Sequence, residues 1–120
     1  MERLTQQEEE VMLYFWKLGP SFIRDVLNQM PTPKPPYTSV ASVVRNLEKK
    51  EYLSPFKLGN SIQYHPVIKE SDYKRYFLSG VVSNYFTGSY KEMVSFFVRH
   101  RKISKKELED LIDIIEDEES

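Results

Sequence analysis

Apolar residues recur at helical spacing in the stretch that follows a proline-rich segment. The pattern i, i+3, i+4, i+7 predicts a helix from about residue 37 to residue 50 with one apolar face. That face consists of Val40, Val43, Val44 and Leu47. The opposite face is polar and holds Thr38, Ser39, Ser42, Arg45, Asn46 and Lys49. Hydroxyls and amides bond to base edges, Arg reaches guanine and Lys meets phosphates, so this face suits the major groove of DNA.

The residues after this helix predict a hairpin. Two stretches, about Leu53–Leu58 and Ser61–Pro66, have strand character, and Gly59-Asn60 between them is a turn signal. A helix followed directly by a hairpin is the order of a winged helix-turn-helix. Lys57 and Asn60 lie near the tip and are candidates to contact phosphate or the minor groove. The alternative is a solvated hairpin that only covers the core.

Two shorter helices are predicted before the proline-rich segment. Thr5 and Glu8 have the spacing of a capping box, and Gly19-Pro20 ends the helix that they open. Ser21 is the predicted cap of a second helix, from Phe22 to about Met30. Residues 31–36 contain four prolines and predict a stiff connector that sets the angle between the second and third helices.

From residue 70 onward the pattern predicts three further helices. Polar residues with good capping chemistry mark their starts: Ser71 or Asp72 for the fourth, Ser89 for the fifth, and Ser104 with Glu107 for the sixth. The tail from Glu116 to Ser120 is expected to fray.

These three helices carry more apolar surface than about fifty residues bury alone. Pairing with a second copy about a two-fold axis is the expected solution, and a helical cap folded back on the same chain is the alternative. The expected dimer contacts are Tyr76, Phe77, Val81, Tyr85, Val94, Phe97, Leu108, Leu111, Ile112 and Ile115. The predicted fold class is mostly α with a small β-hairpin. Residues 1–69 form the predicted DNA-binding domain, and residues 70–120 the dimerisation region.

Charge is distributed unevenly along the 120 residues. The net charge is only −1, but residues 34–69 are net +4 and residues 107–120 hold eight acids and no base. The cations of the basic segment are Lys34, Arg45, Lys49, Lys50, Lys57 and Lys69, against Glu48 and Glu51. A locally basic module is compatible with DNA, since phosphate attraction acts within a Debye length of about 8–10 Å.

Several classes of function lack the residues that they need. The chain has no cysteine, which excludes disulfides, thiolate metal sites and thiol nucleophiles. His65 has no partner at ligand spacing, and His100 is flanked by Arg99 and Arg101, so no metal or other cofactor is expected. No phosphate loop or nucleophile elbow is present, and we expect a protein that is not an enzyme. The polar N-terminus and the absence of a long apolar run predict a cytoplasmic protein.

The order of several short motifs resembles a known family of regulators. In the N-terminal half they are Leu4-Thr5, Glu9-Glu10-Val11-Met12, Phe15-Trp16, Gly19-Pro20 and Arg24-Asp25-Val26-Leu27. Later ones are Tyr37-Thr38-Ser39-Val40, Arg45-Asn46-Leu47-Glu48-Lys49-Lys50, Tyr64-His65-Pro66, and Ile103-Ser104 with Glu107-Leu108 and Leu111. Their order and spacing together are similar to the penicillinase-repressor family (BlaI/MecI type), over roughly residues 4–115.

This resemblance implies a winged-helix repressor that dimerises through its C-terminal helices and binds a dyad operator in double-stranded DNA. The third helix would enter the major groove. Carried over by position, the base and phosphate contacts are Thr38, Ser39, Ser42, Arg45 and Asn46, with Lys49, Lys57 and Asn60 as phosphate or wing contacts. Tyr37 would either bond to a phosphate or form part of the core.

Two departures from the family pattern concern regulation. Copper-responsive members carry a C-terminal cysteine motif, which this chain lacks. In antibiotic-responsive members a membrane sensor metalloprotease triggers cleavage at an Asn-Phe bond in the fifth helix. The matching bond here is Phe96–Phe97, with Phe96 in place of Asn, so cleavage there is a hypothesis.

Two other functions remain open from the sequence. The first is a winged-helix module that binds proteins and not DNA, although the acid-poor polar face of the third helix is against it. The second is a small-molecule sensor with a pocket among the aromatic residues of the fourth and fifth helices.

Overall fold

The computed structural model describes residues 1–119, which form six helices and three strands. The elements are α1 (Gln6–Leu18), β1 (Ser21–Phe22), α2 (Ile23–Gln29), α3 (Tyr37–Lys49), β2 (Leu53–Leu58), β3 (Ser61–Pro66), α4 (Glu70–Tyr85), α5 (Tyr90–Arg99) and α6 (Lys105–Glu119). Three helices followed by a hairpin are the winged-helix order, and the predicted fold class is confirmed. Residues group into two compact units, 1–77 and 78 onward. The functional division predicted at residue 70 stays a prediction.

The start of α1 matches its prediction, but the start of α2 does not. Thr5 and Glu8 form both hydrogen bonds of a capping box, and Gly19 at φ +80° ends α1. Ser21 does not cap α2. Its hydroxyl donates to the Gly19 carbonyl at 2.9 Å, and its backbone pairs with Tyr64 in the sheet. The α2 helix begins one residue later than predicted, and the Phe22 N–H donates to the Asp25 carboxylate at 2.9 Å.

The sheet has three antiparallel strands in the order β1-β3-β2, one more than the predicted hairpin. The predicted bounds of β2 and β3 are correct, and Gly59 at φ +61° makes the turn between them. Pro55 is tolerated because β2 is an edge strand. The additional strand, β1, has only two residues and pairs with β3 far along the chain, so no local pattern indicates it.

The core of the first unit lies between the three helices and the sheet. Its members are Leu4, Val11, Met12, Phe15, Ile23, Val26, Val40, Ala41, Val44, Leu47, Tyr52, Leu53, Tyr64 and Tyr73. Aromatic rings close its edge: Trp16 stacks on Tyr73 with centroids 5.5 Å apart, and its indole N–H donates to the Ile68 carbonyl at 2.9 Å. Burial is the largest factor that raises the pKa of Tyr52, to about 12.

The first two turns of α4 pack on this core. Tyr73 is buried, and its hydroxyl donates to Glu9 Oε2 at 2.8 Å. Phe77 contacts the Tyr73 ring, and the Arg3 guanidinium lies 5.0 Å from the centroid of Phe77. Ser71 and Asp72 are inside the helix and do not cap it. The Asp72 and Tyr73 N–H groups instead donate to the Lys69 carbonyl, so α4 begins earlier than predicted.

The second unit has two well-capped helices and few buried side chains. Ser89 accepts from the Glu92 N–H in α5, and Ser104 and Glu107 form both bonds of the predicted capping box in α6. The predicted fraying from Glu116 is wrong as far as Glu119, which is still helical, and Ser120 lies outside the described residues. Of the described residues from 78 onward, Val82 alone is buried.

None of the helices within residues 1–119 is long and apolar enough to cross a membrane.

A buried ion pair fixes the end of α3 to the start of α1. Glu8 is only 4% exposed, and its Oε1 accepts from Lys50 Nζ at 2.6 Å and from the Thr5 N–H at 2.8 Å. Burial by itself would raise the pKa of Glu8, but the Lys50 ammonium and the bonds from Thr5 lower it below the ordinary value of 4.5. Lys50 Nζ also reaches the Arg3 carbonyl at 3.3 Å.

We expect Glu8→Gln to lower the free energy of unfolding by about 1–3 kcal/mol at pH 7, because Lys50 loses a buried charged partner. The folded pKa of Glu8 is below the unfolded one, so its contribution is present above pH 4.5 and is lost as the pH falls. Urea titrations from pH 3 to pH 7 measure both effects, and the variant should show a smaller loss of stability in acid. Arg75→Gln, which breaks the exposed pair with Asp72, is the control and should change stability by less than about 0.5 kcal/mol. Equal effects of the two variants would contradict the assignment.

Candidate nucleic-acid interface

The polar face of α3 is fully available on the surface of the first unit. All six side chains named from the sequence are exposed, and they are Thr38, Ser39, Ser42, Arg45, Asn46 and Lys49. The apolar positions Val40, Val44 and Leu47 are buried on the opposite side, with Val43 partly buried beside them. This division follows from the helical period, since both sets of residues repeat every three or four positions.

The start of α3 has no side-chain cap. Its N-cap residue is Pro36, which offers no polar side chain, and the first turn contains no acid. The Pro36 carbonyl accepts from the Ser39 and Val40 N–H groups. An uncapped helix start without an acid attracts anions, because its free N–H groups and the positive end of the helix dipole point outward.

Tyr37 lies at the edge of this surface and is 44% exposed, so it is not a core ring. The Arg24 guanidinium, from the first turn of α2, lies 5.4 Å from the centroid of the Tyr37 ring. Arg24 is exposed, and no ion pair involves it within residues 1–119. The sequence prediction missed Arg24 as a site residue, because only the fold brings α2 beside the start of α3.

One side of the α3 face borders a groove of about 990 Å³. Thr38, Ser39, Ser42 and Asn46 line one wall, whereas α1 and the proline connector line the other. Arg45 and Lys49 do not line the groove. The polar face therefore has a concave edge lined by hydroxyls and one amide, next to a more convex strip that carries the cations.

The basic segment supplies fewer surface cations than its composition indicates. Lys34 donates to three carbonyls at the end of α2, those of Leu27, Asn28 and Met30, at 2.7–3.1 Å. Lys50 is bound to Glu8. By contrast, Arg45, Lys49 and Lys57 are exposed, and the described part of the chain forms no salt bridge with them. The sequence could not separate these two groups, because the partners of Lys34 and Lys50 are set by the packing of α1 and α2.

The hairpin places Lys57 on the same face of the sheet as the core residue Tyr64. Lys57 pairs with Ile62, and Pro55 pairs with Tyr64, so these four side chains share one face. Burial raises the pKa of Tyr64, the Glu48 carboxylate adds to this, and the Arg45 guanidinium opposes it. The charges of Glu48 and Arg45 on α3 therefore act on a side chain of the sheet. Asn60 is exposed in the turn.

The two histidines contact side chains next to them and do not contact each other. His65 Nε2 lies 2.8 Å from Gln63 Oε1, and its ring stacks on Phe56. His100 stacks on Phe96 in α5. Within residues 1–119, no group of three His, Cys, Asp or Glu side chains has the arrangement of a metal site.

Comparison with known proteins gives the same assignment along nearly the whole chain. The family model of the penicillinase repressor matches residues 4–117. The chain is 26% identical over 120 residues to the penicillinase repressor of Bacillus licheniformis, which covers 96% of this chain and 91% of that protein. It is 24% identical over 114 residues to the methicillin resistance regulatory protein MecI of Staphylococcus aureus (strain N315), over 93% of this chain and 92% of that protein.

The family is one of transcriptional repressors and not a class of enzymes. Its repressors act on DNA, which agrees with an exposed, acid-poor polar face on the third helix of a winged-helix unit. The chain belongs to the penicillinase repressor family and is a DNA-binding transcriptional repressor with a winged-helix fold.

Proposed function

We propose that this repressor works as a homodimer that binds a dyad operator through α3 of each copy. The contacts with bases and phosphates are assigned to Tyr37, Thr38, Ser39, Ser42, Arg45, Asn46, Lys49, Lys57 and Asn60. The observation that carries this proposal is the polar face of α3, which is exposed along its whole length while the opposite face is buried. Arg24 joins these residues as a phosphate contact, since it lies beside the uncapped start of α3.

Dimerisation is supported by the apolar side chains that the second unit leaves in solvent. Tyr85 is 78% exposed and Ile112 is 53% exposed, which is unusual for large apolar residues. The other expected contact residues are exposed or half-buried: Tyr76, Phe77, Val81, Val94, Phe97, Leu108, Leu111 and Ile115. Phe77 differs from the rest, because it packs on the core of the first unit.

Two linked half-sites explain how two small DNA-binding domains bind an operator tightly. A half-site that contributes about 5–6 kcal/mol gives a dissociation constant near 10⁻⁴ M for one copy. A dimer that engages both half-sites binds about 10²–10⁴ times more tightly and reaches about 10⁻⁶ to 10⁻⁸ M, with recognition helices about 34–36 Å apart along the duplex. Any process that weakens the dimer would therefore release the operator and allow transcription.

A mobility-shift titration against the promoter region of its own gene tests the proposal. We expect specific binding as a dimer, with an affinity that falls steeply between 50 and 200 mM salt because phosphate contacts release counterions. Leu111→Asp should leave a monomer by light scattering and abolish the specific shift. If the wild-type protein gives no specific shift, the alternative of a winged-helix module for protein partners is favoured. If the Leu111→Asp variant remains dimeric, α6 does not lie at the dimer interface.

We expect Arg45→Ala to weaken operator binding by about 1–3 kcal/mol without unfolding the protein, because Arg45 is exposed and has no salt bridge in the described chain. Fluorescence anisotropy with operator DNA measures the affinity, and thermal unfolding checks the fold. Lys34→Gln is a matched control, since it also removes one cation from the basic segment. It should affect stability more than the salt dependence of binding. If Arg45→Ala binds the operator with unchanged affinity, an element other than α3 makes the specific contacts with DNA.

The bond between Phe96 and Phe97 is the proposed site of induction by a membrane sensor metalloprotease. Its carbonyl is held in α5, where the Phe96 oxygen accepts from the His100 N–H at 3.1 Å and from His100 Nδ1 at 2.8 Å. A protease binds an extended segment, so this helix end must open before the bond is cut.

We expect the activated cognate sensor to cut the purified repressor between Phe96 and Phe97, and His100→Leu to be cut faster because one closing bond is lost. Mass spectrometry of the fragments identifies the bond. Sensor treated with a chelator is the negative control. An intact chain, or a cut elsewhere, would rule out this site.

A further inference from the structure

Cations are concentrated where α5 ends and α6 begins. Residues 99–106, here called the cationic junction, contain five cations and no acid, whereas the basic segment 34–69 has a net charge of +4 over a much longer stretch. The five cations are all exposed, and they are Arg99, Arg101, Lys102, Lys105 and Lys106. The cationic junction is therefore the densest positive charge along the sequence, and it lies outside the elements that form the polar face of α3.

Two of these cations lie close to an acid of their own chain. Arg99 Nη2 is 3.9 Å from a carboxylate oxygen of Glu92, and Lys106 Nζ is 3.7 Å from Asp110. The other three form no salt bridge within residues 1–119, and they are Arg101, Lys102 and Lys105. These three side chains are thus available to a negatively charged partner.

The backbone at Arg101 is left-handed, a conformation that favours glycine. Its φ is +57°, and the N–H groups of Arg101 and Lys102 donate to the carbonyls of Val98 and Phe97 at 3.0 and 2.8 Å. These two bonds close the end of α5 as a Schellman motif, in which the left-handed residue is usually glycine. An arginine there strains the backbone in a way that glycine does not. Local structure therefore does not favour a cation at this position.

The start of α6 is also unfavourable for the cations that it holds. Lys105 and Lys106 occupy the first two positions of this helix, at the positive end of its dipole. Cations at a helix start lower the stability of the helix. Because the backbone at Arg101 and the dipole of α6 both disfavour these residues, local stability does not explain the composition of the cationic junction. A polyanion bound by the exposed cations does explain it.

The acids of α6 offset only part of this positive charge. Glu107 accepts from the N–H of the helix cap at 3.1 Å, and Asp110 lies beside a lysine, as described above. Glu109 is the remaining acid of the first two turns. From Asp113 onward the acids lie about 12 Å or more along the helix from Lys105, which exceeds a Debye length of about 8–10 Å. The acidic end of α6 is therefore screened from the cationic junction.

We propose that the cationic junction is a second DNA-binding surface, on which Arg101, Lys102 and Lys105 contact phosphates of the duplex. Arg and Lys side chains bind phosphate oxygens, and such contacts do not depend on the base sequence. The chain belongs to a family of DNA-binding repressors, so DNA is the polyanion that it meets. Once α3 is bound, the same duplex is present at a high effective concentration. This inference rests on DNA binding alone and does not require the proposed dimer.

An anionic lipid surface is the other polyanion that a cationic segment binds. Firm attachment to a membrane also takes apolar side chains that insert beside the cations. Ile103 is the one apolar residue of the cationic junction, and it is half-buried in its own chain. The junction thus offers little apolar surface to a membrane, which favours DNA as its partner.

Neutralisation of the three cations tests this surface in the full-length protein. We expect R101Q/K102Q/K105Q to bind a promoter fragment about tenfold more weakly at about 100 mM salt. Binding to unrelated DNA should weaken by the same factor, because phosphate contacts carry no sequence information. The slope of log Kd against log salt concentration should fall by about one for each lost contact. Fluorescence anisotropy at several salt concentrations measures all three quantities.

The matched control is K74Q/R75Q/K91Q, which removes the same number of exposed cations outside α3 and the cationic junction. Lys74 and Arg75 are already paired with acids of their own helix. The control should change the affinity for either DNA by less than about twofold, because exposed charges beyond a Debye length from the phosphates are screened.

Arg101→Gly separates DNA binding from local structure. Glycine relieves the left-handed backbone, so the variant should unfold at the same or a higher temperature while its affinity for DNA falls about two- to fivefold. Glu51→Gly is the control, since Glu51 has φ +65° and closes the end of α3 through the same two kinds of backbone bond. This control should match the thermal effect without weakening DNA binding. A purely structural role of Arg101 predicts that neither variant weakens binding.

The other outcomes overturn the proposal in distinct ways. Unchanged binding of R101Q/K102Q/K105Q to both DNAs would rule out the surface. If wild-type protein is also retained on vesicles of anionic phospholipid and the variant is not, the cationic junction binds lipid instead. An equal loss in the K74Q/R75Q/K91Q control would assign the effect to net charge. A loss of specific binding alone, with a weaker dimer by sedimentation velocity, would mean that the substitutions act through the dimer. A wild-type protein that binds neither DNA would overturn DNA binding itself.

Discussion

The burial of one face of α3 is the constraint on which the rest of the first unit depends. Val44 and Leu47 are completely buried against α1, α2 and the sheet, and this fixes the rotation of the helix about its axis. The rotation in turn decides that the hydroxyls, Asn46 and Arg45 face outward. A slip of one residue would turn the helix by about 100° and bury polar side chains without partners. The core beneath α3 therefore holds the polar face of this helix in its outward orientation.

The charges around α3 serve two separate purposes. Lys34 and Lys50 hold structure together, one by closing the end of α2 and the other by binding the buried Glu8. Arg45, Lys49 and Lys57 remain on the surface for a polyanion. The division is physically consistent: a buried carboxylate needs a cation of its own, and the carbonyls at a helix end accept from a nearby ammonium. A count of basic residues therefore overstates the charge that DNA would meet.

Features set by neighbouring residues were predictable from the sequence, and features set by packing were not. The capping boxes of α1 and α6, the helical period of α3 and the turn at Gly59 each depend on a few consecutive residues, and all match the structure. The strand β1, the start of α2 and the contact of Arg24 with Tyr37 depend on partners far along the chain. The exposed face of α3 was found because it follows from local periodicity, whereas Arg24 was missed because its neighbour is brought to it by the fold.

Two helices depart from what an isolated helix prefers, and each departure indicates what the helix binds. The start of α3 has neither a side-chain cap nor an acid, which leaves its positive end available for a phosphate. The charges of α6 oppose its dipole, because Lys105 and Lys106 lie at its start and no basic residue lies in its last turn. Local preferences are satisfied at the start of α1, where no ligand is proposed. The exceptions thus coincide with the surfaces assigned to DNA and to the second copy, as expected where binding and not local stability determines the residues.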